Sequence, residues 1–480
     1  GSICFVILAE KLVEQEHFHF SVYYVAILFL SMYAGLIYLY RRKRRETALF
    51  LALAVVSIEA AVNTTVTSVT TTSREAYTRD NKDVIALVEG LQPAGDFYRI
   101  EKKTRKTKND GAWMNFPSVS LFSSTANADL TKFFKRLGCE ASTNAYSITG
   151  STPFVDSLLS VKYALYSEAV SGTDLVRNVA ESGGTYLCEN RYTLPLGFVI
   201  SPDVEDNWQY AMDNPAEVQN DLCLILGSDD VLVSVDSESS GSTCRFTADM
   251  TGEYYVFVQN KRVKEVKAEL PTGQKTFNNT DRGYLLELGT IGVGNQVVLT
   301  AEESGEVLNA LVYRFSERAL IPVYETLNRM PMHLTSWTDT ELSGTVEAEE
   351  AGLLFTSIPY DEGWTVSIDG QKVKPRKVFE ALLAVDIPAG SHQVLLTYFP
   401  GGLAHGIMIS AAALFILLIL FFINIYASGS RRTAAHESPA DASEIFESQP
   451  PARQQTFGGN QEAESHESLM TMNITEEEEK

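Results

Sequence analysis

Five consecutive basic residues, Arg41-Arg42-Lys43-Arg44-Arg45, sit between two apolar segments, 20–40 and 47–66, and constrain the chain more than any other stretch. Loops rich in Lys and Arg beside membrane helices stay cytoplasmic, because the membrane potential and anionic lipid both oppose their transfer. With residues 41–46 inside, the second apolar segment runs outward and carries the chain up to Pro400 to the outer face. A third apolar segment, 403–426, brings the chain back and is followed by Arg431 and Arg432. The two basic signals agree on one topology: three transmembrane helices, a large extracytoplasmic domain and a cytoplasmic C-terminus.

Segment 20–40 holds 21 residues without a charge, about 30 Å as a helix, which matches the hydrocarbon core. His17 and His19 precede it without a third ligand in view and read as interfacial polar residues, so no metal site is expected. The second span contains Glu59, ~18 Å up a ~30 Å core, with Asn63 one turn above it on the same face. An ionisable group at that depth must face other helices or a polar cavity. The pair reads either as hydrogen-bonding glue between helices or as a site at the outer leaflet. Residues 1–19 read as the end of an upstream segment, so the chain is expected to be the C-terminal portion of a longer polytopic protein.

The net charge of −22 argues against nucleic acid as a partner, since nucleic-acid binders recruit basic surface. Part of that charge is local. Residues 433–480 carry eleven acids against Arg453 and Lys480, so 427–480 is expected to be a disordered acidic cytoplasmic tail. Four cysteines fall in the outer region: Cys139, Cys188, Cys223 and Cys244. They could form two disulfides in any of three pairings, but a region of that size holds a core without staples. Free thiols are the preferred reading.

Local patterns divide the outer region. Residues 67–220 mix helical spacing at 83–91 and 127–137 with a strand at 96–101, and read as an α/β lobe. From 221 the apolar period becomes two: 231–235, 254–259, 284–288 and 296–300 alternate between Gly and Asn turns, as in a β-sandwich. One amphipathic helix is expected at 316–329, inside a second domain spanning 221–345. Residues 346–400 give a membrane-proximal β module, with strands at 354–358, 364–368 and 394–398 and a hairpin turn at Asp369-Gly370. Its last strand leads through Pro400-Gly401-Gly402 into the third membrane helix, so the module is expected on the membrane surface. The fold class is therefore a membrane-anchored mixed α/β and β-sandwich protein.

No nucleophile elbow, zinc signature or phosphate loop is present. The glycine run at 289–294 precedes a strand rather than a helix, which argues against a dinucleotide loop, and no cofactor is expected. Aromatics near strand ends, Trp208, Trp337, Tyr360 and Trp364, would suit stacking on sugar rings, although Trp364 also fits a sandwich core. On composition alone the reading stops at a membrane-anchored outer domain.

The order of local strings goes further. Ile58-Glu59 with Asn63, Phe97-Tyr98-Arg99-Ile100, Ser123-Ser124 followed by Phe133 and Leu137-Gly138, and Asp156-Ser157-Leu158-Leu159-Ser160-Val161-Lys162-Tyr163 resemble the bacterial YfhO family of polytopic membrane proteins. So do Glu189-Asn190-Arg191-Tyr192 with Leu194-Pro195-Leu196-Gly197, Pro359-Tyr360-Asp361 with Gly363-Trp364, and Gly390 with His392. The resemblance covers 47–428. It implies a GT-C-type glycosyltransferase that takes a sugar from a polyprenyl-phosphate carrier and adds it to a surface glycopolymer, lipoteichoic acid being the family's acceptor class. It also implies a catalytic carboxylate in the first outer loop of a many-helix protein, and this chain has no such loop. Catalytic residues are thus expected upstream. Arg99, Lys162 and Arg191 are the cations chosen to stabilise a departing phosphate. Glu59, Asn63, Tyr360 and Trp364 complete the candidate substrate-binding set. The expected setting is a bacterial plasma membrane, with the lipid bilayer, the lipid-linked sugar and the glycopolymer as partners. The alternative is a non-catalytic glycan-binding or assembly module.

Overall fold

A computed structural model describes residues 21–42, 44–68, 73–91, 97–171 and 173–434. Expectations for 1–20 and for the tail beyond 434 lie outside these residues. The chain divides into two compact units, with the boundary between Gly401 and Gly402.

The second unit contains the helix Leu403–Ala434. Its first 24 residues, Leu403–Tyr426, are long and apolar enough to cross a membrane. The first unit begins with two antiparallel helices, Ser21–Arg41 and Arg45–Ser68. Both are long and apolar enough to cross a membrane over Tyr24–Arg41 and Arg45–Thr65. At their junction the Arg42 guanidinium lies 5.1 Å from the centre of the Tyr38 ring, and that of Arg45 lies 5.4 Å from the Tyr40 ring. The loop charges are thus partly shielded by aromatic faces.

The globular part is built from three regions. In the first, the strand Arg99–Lys102 lies parallel to Val161–Tyr166, which pairs antiparallel with Thr185–Asn190, and that strand with Val176–Ser182. The helix Asn81–Glu89 buries Val84 and Leu87 against Ile100, Leu165 and Leu187, an i, i+3 stripe that needs only one covered face. Glu101 is buried in this sheet, yet Ser118 and Ser120 hydroxyls and the Ser120 amide donate to it at 2.8–3.0 Å.

The second region has two sheets. One orders Ser237–Ser240, Thr243–Thr247, Gln296–Ala301, Glu265–Leu270 and Gly273–Asn278, and the other orders Leu285–Ile291, Gly252–Val258, Ala310–Phe315 and Leu232–Val235. Alternate residues from both, among them Phe246, Val266, Leu299, Tyr254, Leu286 and Val312, form one core. That is the product of a period-two sequence with one buried face per strand.

The third region repeats the plan. A five-stranded sheet of Met332–Trp337, Glu341–Ala348, Gly390–Tyr398, Trp364–Ile368 and Gln371–Val373 shares a core with a four-stranded sheet of Arg376–Val378, Leu382–Ile387, Gly352–Pro359 and Gly197–Ile200. Asp369 and Gly370 turn the chain with φ of 52° and 78°, the left-handed pair a two-residue hairpin requires.

Sheet pairing crosses the sequence-based divisions at 220 and 345. Gly197–Ile200 joins the last region through Leu353–Thr356, and the strand Met332–Trp337 pairs with Glu341–Ala348. Phe198 and Phe355, both fully buried, meet across this pairing with ring centres 5.3 Å apart. Burying each such ring stabilises the fold by about 1.5–3 kcal/mol. The largest core cluster draws residues from all three regions, including Phe154, Tyr255, Leu285 and Phe355. Cys139, Cys188, Cys223 and Cys244 are all buried free thiols, as the preferred reading has it. Trp208, in contrast, is not an exposed aromatic. It is 4% exposed and its indole donates to the Val218 carbonyl at 2.8 Å, because it caps the large core rather than a strand end.

Candidate functional site

A cleft of 590 Å³ opens where the first region meets the helix Glu317–Leu327. Three neighbouring strands point charges into it: Lys162 from Val161–Tyr166, Arg177 from Val176–Ser182 and Glu189 from Thr185–Asn190. Glu189 stands directly opposite Arg177 on the neighbouring strand, so those two side chains share a face, and the Lys162 ammonium reaches the same carboxylate from the strand on the other side. The loop 191–195 closes one side, held by Asn190, whose side chain accepts from the Tyr192 amide at 3.1 Å and whose carbonyl accepts from the Thr193 hydroxyl at 3.0 Å. Tyr324, Asn328 and His333 supply the opposite wall.

Three aromatic rings, Phe97, Tyr98 and Tyr324, line this space, and two of them rest on tyrosines behind the wall. Tyr98 packs edge-on to Tyr163 at 5.1 Å, and Tyr324 edge-on to Tyr192 at 5.4 Å. Burial pushes the Tyr98, Tyr163 and Tyr324 hydroxyls above the usual tyrosine range, so all three remain donors at neutral pH. The Lys162 ammonium stands 5.7 Å from the Tyr98 ring centre and 5.5 Å from that of Tyr163. Glu189 binds the Arg177 guanidinium and lies 3.9 Å from Lys162. The cleft therefore carries three cations against one acid. Arg191 is exposed and makes no ion pair among the described residues. Such a surface suits a sugar ring flanked by an anionic group: rings for the apolar face, amides and hydroxyls for the hydroxyl groups, a free guanidinium for the charge.

The sequence-based candidates separate. Lys162 and Arg191 meet in the cleft. Arg99 stands behind it: its guanidinium donates to the Leu159 carbonyl at 2.7 Å and to the Ser357 hydroxyl and carbonyl at 2.8 and 3.0 Å. It also covers the Phe97 ring at 5.2 Å. Loss of water around it lowers its pKa to about 10, still far above neutrality. Tyr360 and Trp364 pack on the core of the last region, with Lys377 over Tyr360 and Trp364 against Tyr398; neither lines the cleft. In the helical hairpin, the Tyr33 hydroxyl donates to Glu59 across the two helices, and Asn63 lies one turn further along. The residues that sequence reasoning missed, Arg177, Tyr324, Asn328 and His333, come from segments without a shared string. Only Tyr324 carried a signal, as a half-buried ring on an amphipathic helix.

A second cluster is enclosed. Lys103 lies 3.3 Å from Asp156, and Glu253 accepts from the Tyr255 hydroxyl at 3.1 Å. With Glu287 they surround a cavity of 40 Å³, room for water and far too small for a sugar. Burial, then the Glu287 charge, raises Glu253 to about 7. No group of three or more possible metal ligands occurs among the described residues.

Comparison with known proteins places this architecture. The profile of the family described as "Bacterial membrane protein YfhO" matches residues 2–231 and 228–410. The uncharacterized protein YfhO of Bacillus subtilis (strain 168) is 23% identical over 214 residues, 42% of this chain and 24% of that protein. The chain thus matches about a quarter of that relative's length. Among solved structures, arabinofuranosyltransferase AftD from Mycobacteria aligns at 15% identity over 30% of this chain and 12% of its own, with a TM-score of 0.15. A glycoside hydrolase 29 family member from an unknown rumen bacterium aligns at 10% identity, covering 39% and 42%, with a TM-score of 0.17. At these scores neither extends to a shared overall fold. The family profile covers most of the chain, and the chain belongs to the YfhO family of bacterial membrane proteins.

Proposed function

We propose that this chain is the C-terminal part of a polytopic glycosyltransferase that moves a sugar from a polyprenyl-phosphate donor to a lipoteichoic acid-like polymer at the outer membrane face. Residues 67–400 are extracytoplasmic in this reading, their paired sheets acting as β-sandwiches that carry the cleft. The observation that carries it is the pairing, in one cleft, of tyrosine rings with the unpaired Arg191. Rings grip sugar faces, and a planar guanidinium suits phosphate or another anionic substituent. A transferase also needs a carboxylate base. Glu189 is already neutralised by Arg177 and Lys162, so the reading assigns the base to a loop upstream of these residues and gives the cleft the role of holding the saccharide.

That same neutralised Glu189 favours a second reading, a glycan-binding module that serves another protein's active site. Sugar analysis of surface polymers from cells with and without the parent gene tests the first. Loss of one glycosyl substituent, restored by the full-length gene and not by residues 1–480, supports a transferase with its base upstream. An unchanged profile moves the assignment to the binding module.

A further inference from the structure

One end of the five-stranded sheet in the last region collects aromatic side chains. Trp337 ends its strand, Tyr398 ends the strand Gly390–Tyr398, and Trp364 begins the strand paired with it. The register brings these ends together, with Trp364 opposite Tyr398, Glu341 opposite Thr397, and Trp337 opposite Leu342. Trp364 and Tyr398 rings are 5.0 Å apart, and Phe97 packs edge-on to Trp337 at 5.2 Å. Yet the group is not a closed core: Trp337 is 43% exposed and Phe399 56% exposed. Large aromatic rings left open at one sheet end call for a partner.

Covalent geometry identifies it. Three residues, 400–402, separate Phe399 from Leu403, the first residue of a helix apolar enough over Leu403–Tyr426 to cross a membrane, and such a link reaches about 10–14 Å at most. Wherever that helix crosses a bilayer, covalent linkage alone keeps the Phe399 end of the sheet within that reach of its first residue. Trp and Tyr are the side chains that favour the membrane–water interface, with an apolar body and a polar edge. Charge does not explain the patch, because Asp339, Asp361 and Glu362 are the exposed charged neighbours in the adjoining turns.

We propose that Trp337, Phe399, Tyr398 and Trp364 form an aromatic girdle that seats the last region in the lipid headgroup layer. This reassigns Trp364 from sugar stacking to membrane anchoring. It also sets the depth of the cleft. Phe97 lines the cleft and packs on Trp337, and His333 of the cleft is four residues before Trp337 on the same strand, about 13 Å at the rise of a strand. The saccharide site is then within a headgroup's reach of the bilayer, where a lipid-linked sugar is presented.

The test uses the full chain reconstituted in phosphatidylcholine bilayers that carry bromine near the top of the acyl chain. The protein has four tryptophans, and buried Trp208 stays in every variant as the background. A chain with W113F and W364F reports Trp337, and the same chain with W337F added gives the baseline. Trp337 fluorescence is expected to be quenched at least about twofold beyond baseline by the brominated lipid, and to be shielded from aqueous iodide. Should the W364F background fail to fold, single W337F must lower the lipid-dependent quenching of the wild type, the remainder being the share of Trp364, and an unchanged quenching would overturn the proposal. Trp337 quenched by iodide and not by brominated lipid overturns the proposal. That result would leave the transferase reading, tested by sugar analysis, standing.

Discussion

Arg99 and Ser357, 258 positions apart, are joined by two hydrogen bonds, one to the serine hydroxyl at 2.8 Å and one to its carbonyl at 3.0 Å. The Ser160 hydroxyl meets Ser357 from the other side at 3.2 Å. The first sheet and the strand Gly352–Pro359 are pinned at this point, immediately behind the cleft. A guanidinium committed in this way is a positioning group rather than a ligand for substrate.

Arg99→Ala should therefore cost about 2–3 kcal/mol of stability, since it strands the Leu159 and Ser357 carbonyls away from water. Arg99→Lys should recover only part, because an ammonium cannot reproduce the fork. Thermal unfolding of the purified chain checks both. A melting temperature unchanged in Arg99→Ala would contradict the staple.

Glu253 makes stability fall with rising pH. Its folded pKa, about 7, lies above the ordinary glutamate value, so between the two the folded state holds a proton that the unfolded state has released. By linkage, stability is lost as pH rises through that window. The melting temperature should drop between pH 5 and about 7.5, and Glu253→Gln should flatten that part of the profile. A Glu253→Gln variant with the wild-type slope would sink the assignment.

Glu189→Gln should release Lys162 and Arg177 from their acid. An exposed pair of this kind is worth up to about 1 kcal/mol, so binding of a sugar phosphate should tighten by roughly fivefold at low salt, and less at high salt. Titration of the chain with glucose 1-phosphate reads this directly. Weaker binding would mean that Glu189 itself contacts the ligand.

Tyr33→Phe should loosen the helical hairpin by about 0.6–1.7 kcal/mol, the range for hydrogen bonds between membrane helices, because Glu59 loses its donor from the neighbouring helix. Unfolding of the chain in mixed micelles measures it. An effect outside the hairpin, on sugar binding, would instead revive Glu59 as part of a site.

The three long apolar helices and most strands were legible because their signals are local: unbroken apolar length for one, alternation between Gly and Asn turns for the other. Asp369-Gly370 was readable for the same reason. Phe379-Glu380 was not, although both take left-handed φ of 48° and 59°. Neither residue advertises that conformation, and it is held by burying Phe379 against Trp208 at 4.5 Å. The pairing of Gly197–Ile200 with Leu353–Thr356 carries no local signal at all. Of the residues that line the cleft, Lys162 and Arg191 lie in strings readable in the sequence, whereas His333 and Tyr324 arrive from a segment more than a hundred residues away. Arg99 shows the converse. Its string marked it as important, and only the fold distinguishes a staple from a ligand.

The most direct test of the cleft as a saccharide site is made in cells whose parent gene carries Arg191→Ala, with the sugar content of their surface polymers measured. Arg191 is exposed, so the variant should fold and insert at wild-type levels, with stability within about 0.5 kcal/mol. The account predicts loss of most of the glycosyl substituent despite normal protein in the membrane. A full substituent level in those cells would contradict it.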